Sequence, residues 1–230
     1  MTVSAIIVAG GKGVRMGHHL RKQYVALGDR PILSHTVGVF TACDLVHDII
    51  LVIPHGDAEY CKTDVLPHVK NAGKVKLVSG GAERQDSVYS GLMAVEDRDG
   101  IVLIHDGVRP FVREDFIKAL IDGAEKEGAC IPGIPAFDTL KKVNRFGMID
   151  GTAERQGLHL AQTPQAFQYP LIRKAHDAAK DENFSGTDDA SLAERLGFPV
   201  RVIQGRLDNI KITTKEDLKL ANAILFSGFD

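Results

Sequence analysis

The sequence predicts an open α/β sandwich, because short apolar runs alternate along the chain with segments of helical periodicity. Several of the runs are apolar at every position, as strands buried on both faces of a parallel sheet tend to be. The predicted strands cover residues 5–8, 49–53, 76–78, 101–104 and 200–203. The predicted helices between them cover residues 32–40, 86–95 and 116–127, the last followed by Gly128.

The C-terminal helix carries the clearest end signals in the chain. Thr213 is the predicted N-cap, and Glu216 three residues later completes the pattern of a capping box. Gly228 follows the predicted end. We expect this helix to cover one face of the sheet.

Residues 138–165 break the alternation of strand and helix. They contain polar turns, such as residues 144–147, and no helical stripe. This segment is predicted to form an extended hairpin arm or a lid. Because the sequence has no internal repeat, low-complexity tract or linker, we expect one domain over residues 1–230.

The composition excludes several classes of protein. With 44% hydrophobic and 25% charged residues and a net charge of −2, the chain is typical of a globular protein without a general field for nucleic acid or acidic membranes. Cys43, Cys61 and Cys130 fit neither a disulfide framework nor paired zinc ligands. The start of the chain has no targeting pattern, and no long apolar stretch follows. We therefore expect a cytoplasmic protein that binds neither nucleic acid nor membrane.

A glycine-rich loop follows the first predicted strand. Gly10, Gly11 and Gly13 lie within four positions and would let backbone amides approach a ligand closely. The loop lacks the Gly-Lys-Ser/Thr of a Walker A motif and the third glycine of a dinucleotide fingerprint. It predicts a phosphate or nucleotide site of another kind.

Basic residues cluster in and after this loop. Lys12, Arg15, Arg21 and Lys22 lie in a stretch without an acidic residue. A triphosphate would need such a concentration of cations, whereas the alternative is a basic surface loop.

Two acid-base pairs each follow a predicted strand. Asp106 and Arg109 lie just beyond residues 101–104, at the sheet edge where open α/β folds bind ligands. Asp106 could hold Mg²⁺ and Arg109 a phosphate, or the two could simply stabilise the turn. Asp208 and Lys211 follow residues 200–203. Two carboxylates brought together would suit a metal–triphosphate complex, although a capped turn is the alternative for the second pair.

A second glycine turn, residues 80–87, leads into a predicted helix. Its free amides and the Ser87 hydroxyl could bind a nucleobase or ribose, or the turn could be an ordinary N-cap. Nine histidines occur without metal-ligand spacing, so zinc is not expected. His18, His19 and His105 are interpreted as loop or neighbour residues.

Taken together, these motifs closely resemble the 2-C-methyl-D-erythritol 4-phosphate cytidylyltransferase family over almost the whole chain. The motifs are Ala9-Gly10-Gly11-x-Gly-x-Arg15-Met16, Lys22-Gln23-Tyr24, Gly80-Gly81, Arg84, Ser87, His105-Asp106-x-x-Arg109-Pro110, Thr163-Pro164-Gln165 and Asp208-Asn209-Ile210-Lys211. Their order and spacing are specific to this family and its ribitol-phosphate relatives.

The resemblance implies a Rossmann-like three-layer sandwich with a mixed, mostly parallel sheet and a protruding β-arm, at about residues 138–160, that forms a homodimer. It implies Mg²⁺-dependent transfer of a cytidylyl group from CTP to a polyol phosphate, methylerythritol phosphate, in nonmevalonate isoprenoid biosynthesis. By position, Arg15, Lys22 and Lys211 match the catalytic cations. Asp106 and Asp208 match the acids on the metal side.

The resemblance also assigns the binding residues. The nucleotide-binding positions are Ala9, Gly10, Gly11, Gly13, Gly81, Ala82 and Ser87. Those that would bind the acceptor are Asp106, Arg109, Thr139 and Thr163, with Arg155 reaching across from the partner's arm.

The chain departs from the family pattern at three positions. Arg21 stands where a proline commonly precedes the lysine, Ala82 where an acid is frequent, and His159 where the arm commonly has an aromatic residue. Two alternatives remain: a ribitol-5-phosphate cytidylyltransferase, and a nucleotide-binding regulator without catalysis. The Asp208-Asn209-Ile210-Lys211 segment favours methylerythritol phosphate, and the presence of both aspartates beside the cations argues against a regulator.

Overall fold

The computed structural model describes residues 1–11 and 20–227. The strands are β1 (Val3–Val8), β2 (Ala26–Leu27), β3 (Arg30–Pro31), β4 (Asp48–Ile53), β5 (Val75–Ser79), β6 (Ile101–Asp106), β7 (Ala129–Pro135), β8 (Lys141–Val143), β9 (Ile149–Thr152), β10 (His159–Ala161), β11 (Gln165–Gln168) and β12 (Arg201–Gln204). The helices are α1 (Ile32–Ala42), α2 (Ala58–Tyr60), α3 (Arg84–Ala94), α4 (Glu114–Glu127), α5 (Tyr169–Asp181), α6 (Asp189–Arg195) and α7 (Lys215–Ser227).

The main sheet of the described chain has eight strands and is mixed but mostly parallel. Strand β1 pairs in parallel with β4 and β6, and β5 continues the parallel set beyond β4. Strand β11 runs antiparallel between β6 and β7, β10 runs antiparallel to β7, and β12 pairs with β7 in parallel. This topology confirms the predicted α/β fold with its mixed sheet.

Helices cover both faces of the sheet, which makes three layers. Alternate residues of β1 show this division: Ala5 and Ile7 pack with α1 and α4, whereas Ile6 packs with α3, α5 and α6. Both clusters are formed mainly of buried side chains, as the continuous apolar runs predicted.

The C-terminal helix differs from its prediction in two ways. Helix α7 begins one residue later than expected, because Thr214 and Asp217 form the reciprocal cap: the Asp217 amide donates to Thr214 Oγ1 and the Thr214 amide donates to Asp217 Oδ2. Asp217 Oδ2 also accepts hydrogen bonds from Thr213, which explains the misplaced N-cap. Gly228 lies outside the described residues.

The second difference is the surface that α7 covers. It was expected on a sheet face, but its buried Ala221 belongs to a separate cluster of Leu27, Ile32, Val108, Phe111 and Ile212. The helix therefore packs on the small β2–β3 hairpin and on the loop after β6.

Residues 138–160 contain a hairpin, as predicted. Strands β8 and β9 pair antiparallel in a two-stranded sheet of their own, and Gly147 turns the chain between them with a φ of 80°. Strand β10 then brings the chain back to the main sheet beside β7.

The thiols of Cys43, Cys61 and Cys130 are free and buried. Within residues 1–11 and 20–227, the helices are too short or too polar to cross a membrane.

Candidate functional site

Two adjoining cavities open at the carboxyl ends of the parallel strands. The first, of about 390 Å³, includes in its lining Val8, Ala9, Gly10, Gly11, Lys22, Gln23, Gly81, Ala82, Glu83, Arg84, Ser87, Asp106, Val108 and Lys211. The second, of about 250 Å³, is lined by Arg84, Asp106, Arg109, Ala161, Gln162, Thr163, Gln165, Thr187, Asp188 and Lys211. The cavities share Arg84, Asp106 and Lys211, so these three side chains form their junction.

The sheet register places the glycine loop beside Asp106. Val8 at the end of β1 is opposite Asp106 at the end of β6. The Gly107 amide donates to the Val8 carbonyl at 2.9 Å, and the Ala9 amide donates to the Val52 carbonyl at 2.8 Å. Strand pairing thus continues up to the first glycine and brings the loop and the carboxylate to one edge, as expected for an open α/β sheet.

The two glycine turns approach each other closely at Ser87. A Cβ atom on Gly10 would lie 2.9 Å from Ser87 Oγ, and one on Gly81 would lie 2.3 Å from Asp86 Cβ. The Ser87 hydroxyl donates to the Glu83 carbonyl and accepts from the Gly81 amide. It therefore holds the second turn in place, while the cap of α3 is a reciprocal pair of Glu83 and Asp86.

Asp106 is the electrostatic centre of the junction. Lys211 Nζ lies 2.8 Å from its carboxylate, Arg84 Nε 3.1 Å and Arg109 Nε 3.5 Å. Burial alone would raise the pKa of Asp106, but the charges of Arg84 and Lys211 outweigh it and hold the pKa well below its usual range. The carboxylate is therefore ionised at neutral pH.

Arg84 links this centre to a second buried acid that the sequence analysis did not identify. Its Nη1 lies 2.8 Å from Asp189 Oδ2, and His176 Nε2 lies 3.1 Å from Asp189 Oδ1. Burial opposes ionisation of Asp189, yet Arg84 lowers its pKa below the usual value. The guanidinium is thus fixed between two carboxylates. Arg84 belongs to one of the motifs, but the local sequence does not indicate these two partners.

His105 supports the site and is not placed as a catalyst. Its ring is completely buried, and burial lowers its pKa to about 4, so it is neutral near pH 7. The Arg109 carbonyl can only accept, so the ring proton of the neutral His105 lies on Nε2, which donates to it at 3.0 Å. His105 Nδ1 therefore accepts from the Thr163 hydroxyl at 2.9 Å, and Thr163 Oγ1 accepts in turn from the Asp106 amide at 3.1 Å.

Asn209 connects the segment of Asp208 and Lys211 to Thr163 and Arg109. Its side-chain amide donates to the Thr163 carbonyl at 2.9 Å, and its own carbonyl accepts from Arg109 Nη1 at 2.7 Å. The fully buried Asn209 thereby fixes the neighbouring Lys211 segment against the loop after β6. Asn209 belongs to one of the motifs, but the local sequence does not indicate this role.

Asp208 lies in a different environment from Asp106. Its carboxylate accepts hydrogen bonds from Arg206 at 2.9 and 2.8 Å and from Arg113 at 3.1 Å. It is not among the described residues that line either cavity. Binding of a metal by Asp208 stays a prediction, and it would require these arginine contacts to be exchanged.

The remaining predicted residues fall into three groups. Lys22 lines the first cavity, and Gln23 beside it donates to the Ala9 carbonyl at 2.6 Å. Gly13 and Arg15 lie outside the described residues. Thr139 and Arg155 are exposed in the arm, where Arg155 donates to the Phe137 carbonyl, and neither lines the two cavities.

The sequence profile of the IspD family, 2-C-methyl-D-erythritol 4-phosphate cytidylyltransferase, matches residues 3–227. The chain belongs to this family. Members are nucleotidyltransferases, so the chain is an enzyme of that class. A protein of this name from Geotalea uraniireducens is 46% identical over 229 residues, which are 99% of this chain and 98% of the relative. Another from Clostridium botulinum is 49% identical, over 94% of this chain and 96% of the relative.

Solved structures of the IspD family share the fold. The 4-diphosphocytidyl-2C-methyl-D-erythritol synthase of Anaerococcus prevotii superposes with a TM-score of 0.85 at 34% identity, covering 98% of this chain and 96% of the other. The 2-C-methyl-D-erythritol 4-phosphate cytidylyltransferase of Thermus thermophilus has a TM-score of 0.81 at 32% identity, covering 97% and 98%.

Proposed function

We propose that this IspD-family chain transfers a cytidylyl group from CTP to 2-C-methyl-D-erythritol 4-phosphate, with CTP in the first cavity and the acceptor phosphate in the second. The observation that carries the proposal is the junction of the cavities at Arg84, Asp106 and Lys211. A reaction between two phosphate groups needs both of them beside one set of fixed charges.

The linings support this division of the cavities. The first has the two glycine turns, where the lack of side chains lets a ligand approach the backbone closely, and the cation Lys22. The second has the cation Arg109, which is suited to a phosphate, beside the polar side chains of Thr163 and Gln162. Lys211 belongs to both, so it can contact the phosphates on either side.

In the proposed reaction, a phosphate oxygen of the acceptor attacks the α-phosphorus of CTP. A new P–O bond forms while the bond from the α-phosphorus to the bridging β-phosphate oxygen breaks, and pyrophosphate leaves with that electron pair. No protein nucleophile is needed, because the attacking oxygen is already anionic. The protein contributes positioning and neutralisation by Lys22, Lys211 and, by resemblance, Arg15.

The junction carries one carboxylate, that of Asp106, of the kind that binds Mg²⁺. This ion is commonly held in proteins by one or two carboxylates together with substrate phosphates. Asp106 supplies such a carboxylate at the boundary of the cavities, and no cluster of three or more potential metal-ligating side chains occurs in the described part of the chain. A bound ion would neutralise triphosphate charge, and we propose Asp106 and Asp208 as its protein ligands.

Pyrophosphate release tests the proposed substrate pair. Purified protein with CTP and Mg²⁺ is offered methylerythritol phosphate or ribitol phosphate in separate reactions. We expect kcat/KM for release with methylerythritol phosphate to be at least about 100-fold higher than with ribitol phosphate, because the wrong acceptor would leave polar groups of the site without partners. Preference for ribitol phosphate would reject the acceptor, and no turnover with either would favour the regulator.

We further propose that the enzyme is a homodimer joined through the arm. The arm and its base carry exposed apolar side chains, a pattern that marks interaction surfaces. They are Phe137, Val143, Phe146, Met148, Ile149, Leu158 and Leu160. In a dimer, Arg155 of one chain would contact the acceptor in the other.

Light scattering should give twice the chain mass of 25.0 kDa, and Ile149→Asp should shift the protein towards monomer.

Subunit complementation tests whether Arg155 acts across the interface. Mixing and refolding Arg155→Ala with Lys22→Met should restore roughly a quarter of wild-type activity, since half of the dimers then contain one intact site. No gain above the Arg155→Ala protein alone would show that Arg155 does not act across the interface.

A further inference from the structure

The short turn that carries Lys22 is held by its neighbours. Residues Lys22–Tyr24 form one turn of 3-10 helix, in which the Tyr24 amide donates to the Arg21 carbonyl and the Val25 amide to the Lys22 carbonyl. Such a turn contains few hydrogen bonds, so by itself it fixes a long lysine side chain poorly. Contacts to the rest of the protein must set its position.

Two of these contacts end on a single oxygen atom. Arg21 Nε lies 3.1 Å from Asp57 Oδ2, and the Tyr24 hydroxyl donates to the same oxygen at 2.9 Å. Burial raises the pKa of Tyr24 far above its usual value, so its hydroxyl stays protonated and remains a donor. One carboxylate therefore joins both ends of the Lys22 turn.

Asp57 is itself well fixed. It lies just beyond β4, its amide donates to the Pro54 carbonyl at 3.2 Å, and its carbonyl accepts from the Cys61 amide at 2.9 Å. The Tyr24 ring packs on Tyr60 with centroids 4.6 Å apart. The carboxylate is thus a rigid point of attachment, only 19% exposed.

We propose that Asp57 is a positioning residue for the transfer reaction, which holds Lys22 in the first cavity through the side chains of Arg21 and Tyr24. With Gln23 bonded to Ala9, the three side chains next to Lys22 all serve as anchors. Lys22 lines the cavity in the midst of them. Arg21 has a φ of −64°, within the range that a proline ring imposes, so a proline at this position would hold the same backbone conformation.

This inference rests on the proposed role of Lys22 in catalysis, and kinetics test it through a double-mutant cycle. Asp57→Ala should lower kcat about 10-fold and change CTP affinity little, because a misplaced charge is lost mainly from the transition state. In a Lys22→Met background the same change should cost less than about twofold, since the group it positions is absent. Equal losses in both backgrounds would overturn the inference.

Arg21→Pro provides rescue. The ring fixes the backbone at the φ that Arg21 already has, so the Arg21→Pro/Asp57→Ala protein should recover most of the lost kcat. Asp64→Asn is the matched control, an exposed acid of the same segment outside both cavities, and should behave as wild type. A double variant no better than Asp57→Ala would count against positioning through the turn.

Hydrogen exchange tests the anchor without any catalysis. Asp57→Ala should speed exchange of the Tyr24 and Val25 amides about 10-fold, whereas Asp64→Asn should leave it unchanged. Unchanged exchange in Asp57→Ala would reject the anchor even in an active enzyme. If the wild-type protein transfers no cytidylyl group, the proposed function fails, and the exchange result still decides the role of Asp57 in holding the turn.

Discussion

Replacing Asp106 by asparagine is expected to lower kcat at least about 100-fold, the loss typical of removing one fixed charge from a transition-state site. Three cations converge on its carboxylate at the junction of the cavities. Asparagine keeps the shape but removes the charge that fixes Arg84 and Lys211 and that we propose as a Mg²⁺ ligand. Steady-state kinetics across a Mg²⁺ series measure the loss.

The affinity for CTP in the absence of Mg²⁺ should not fall with kcat in the Asp106→Asn protein. The substitution leaves Arg84, Arg109 and Lys211 with one negative charge fewer, so the triphosphate should bind at least as tightly as in the wild type. Calorimetric titration measures this affinity. Asp177→Asn is the matched control, because its carboxylate pairs with Arg173 on α5 outside both cavities. Weakened CTP binding with unchanged kcat would contradict the assignment.

The same variant should lose stability with a defined pH dependence. Because the folded protein holds the pKa of Asp106 well below its usual value, the carboxylate contributes its full stabilisation above the unfolded-state pKa. That contribution is lost only as the pH falls through the folded-state pKa. The variant should therefore be less stable by at least about 1 kcal/mol near neutral pH, below the 3–5 kcal/mol typical of fully buried pairs because Lys211 is partly exposed. Urea unfolding should show the gap narrowing in strong acid.

Much of the fold could be predicted from sequence, where local pattern and tertiary packing agree. Residues 49–53 and 101–104 in the parallel part of the sheet are apolar throughout, and the structure buries them on both faces. Strand β7 was not predicted because Pro132, Gly133 and Pro135 are residues that usually interrupt strands. Its pairing with β12, β10 and β11, all distant in sequence, overrides that local preference.

The sequence indicates many of the residues that lie around the cavities, but not the ion pairs and hydrogen bonds that connect them. Several of the glycines and charged residues predicted for the site line the first cavity, among them Gly10, Gly11, Lys22 and Lys211. The partners of those charges are long-range: Arg84 meets Asp189, and Arg113 meets Asp208 although 95 residues separate the two. Nothing in the local pattern indicates which cation an acid will meet. For this reason the sequence predicts the same role for Asp106 and Asp208. In the structure Asp106 contacts three cations between the cavities, whereas Asp208 contacts two arginines and lines neither cavity.

Replacing Lys211 by methionine is expected to have the second large effect, a fall in kcat of about 100- to 1,000-fold with a much smaller change in CTP affinity. Methionine keeps much of the length of the side chain without the charge. Lys211 lines both cavities, so its ammonium can contact the acceptor phosphate and the triphosphate at once. Lys215→Met, an exposed lysine at the start of α7, is the control and should retain wild-type kinetics.

The contact between Lys211 and Asp106 makes their effects interdependent. Lys211 Nζ lies 2.8 Å from Asp106 Oδ2, so each side chain orients the other. The fall in kcat of the double variant should therefore be smaller than the product of the two single falls. In the Asp106→Asn background, Lys211→Met should therefore cost less than it does alone. Lys211→Arg keeps the charge but replaces a compact ammonium by a planar fork, and it should recover only part of the activity. Losses that multiply would show that Lys211 and Asp106 act independently. If Lys211→Met weakens CTP binding as much as it lowers kcat, Lys211 binds the ground state and does not act in the transfer step.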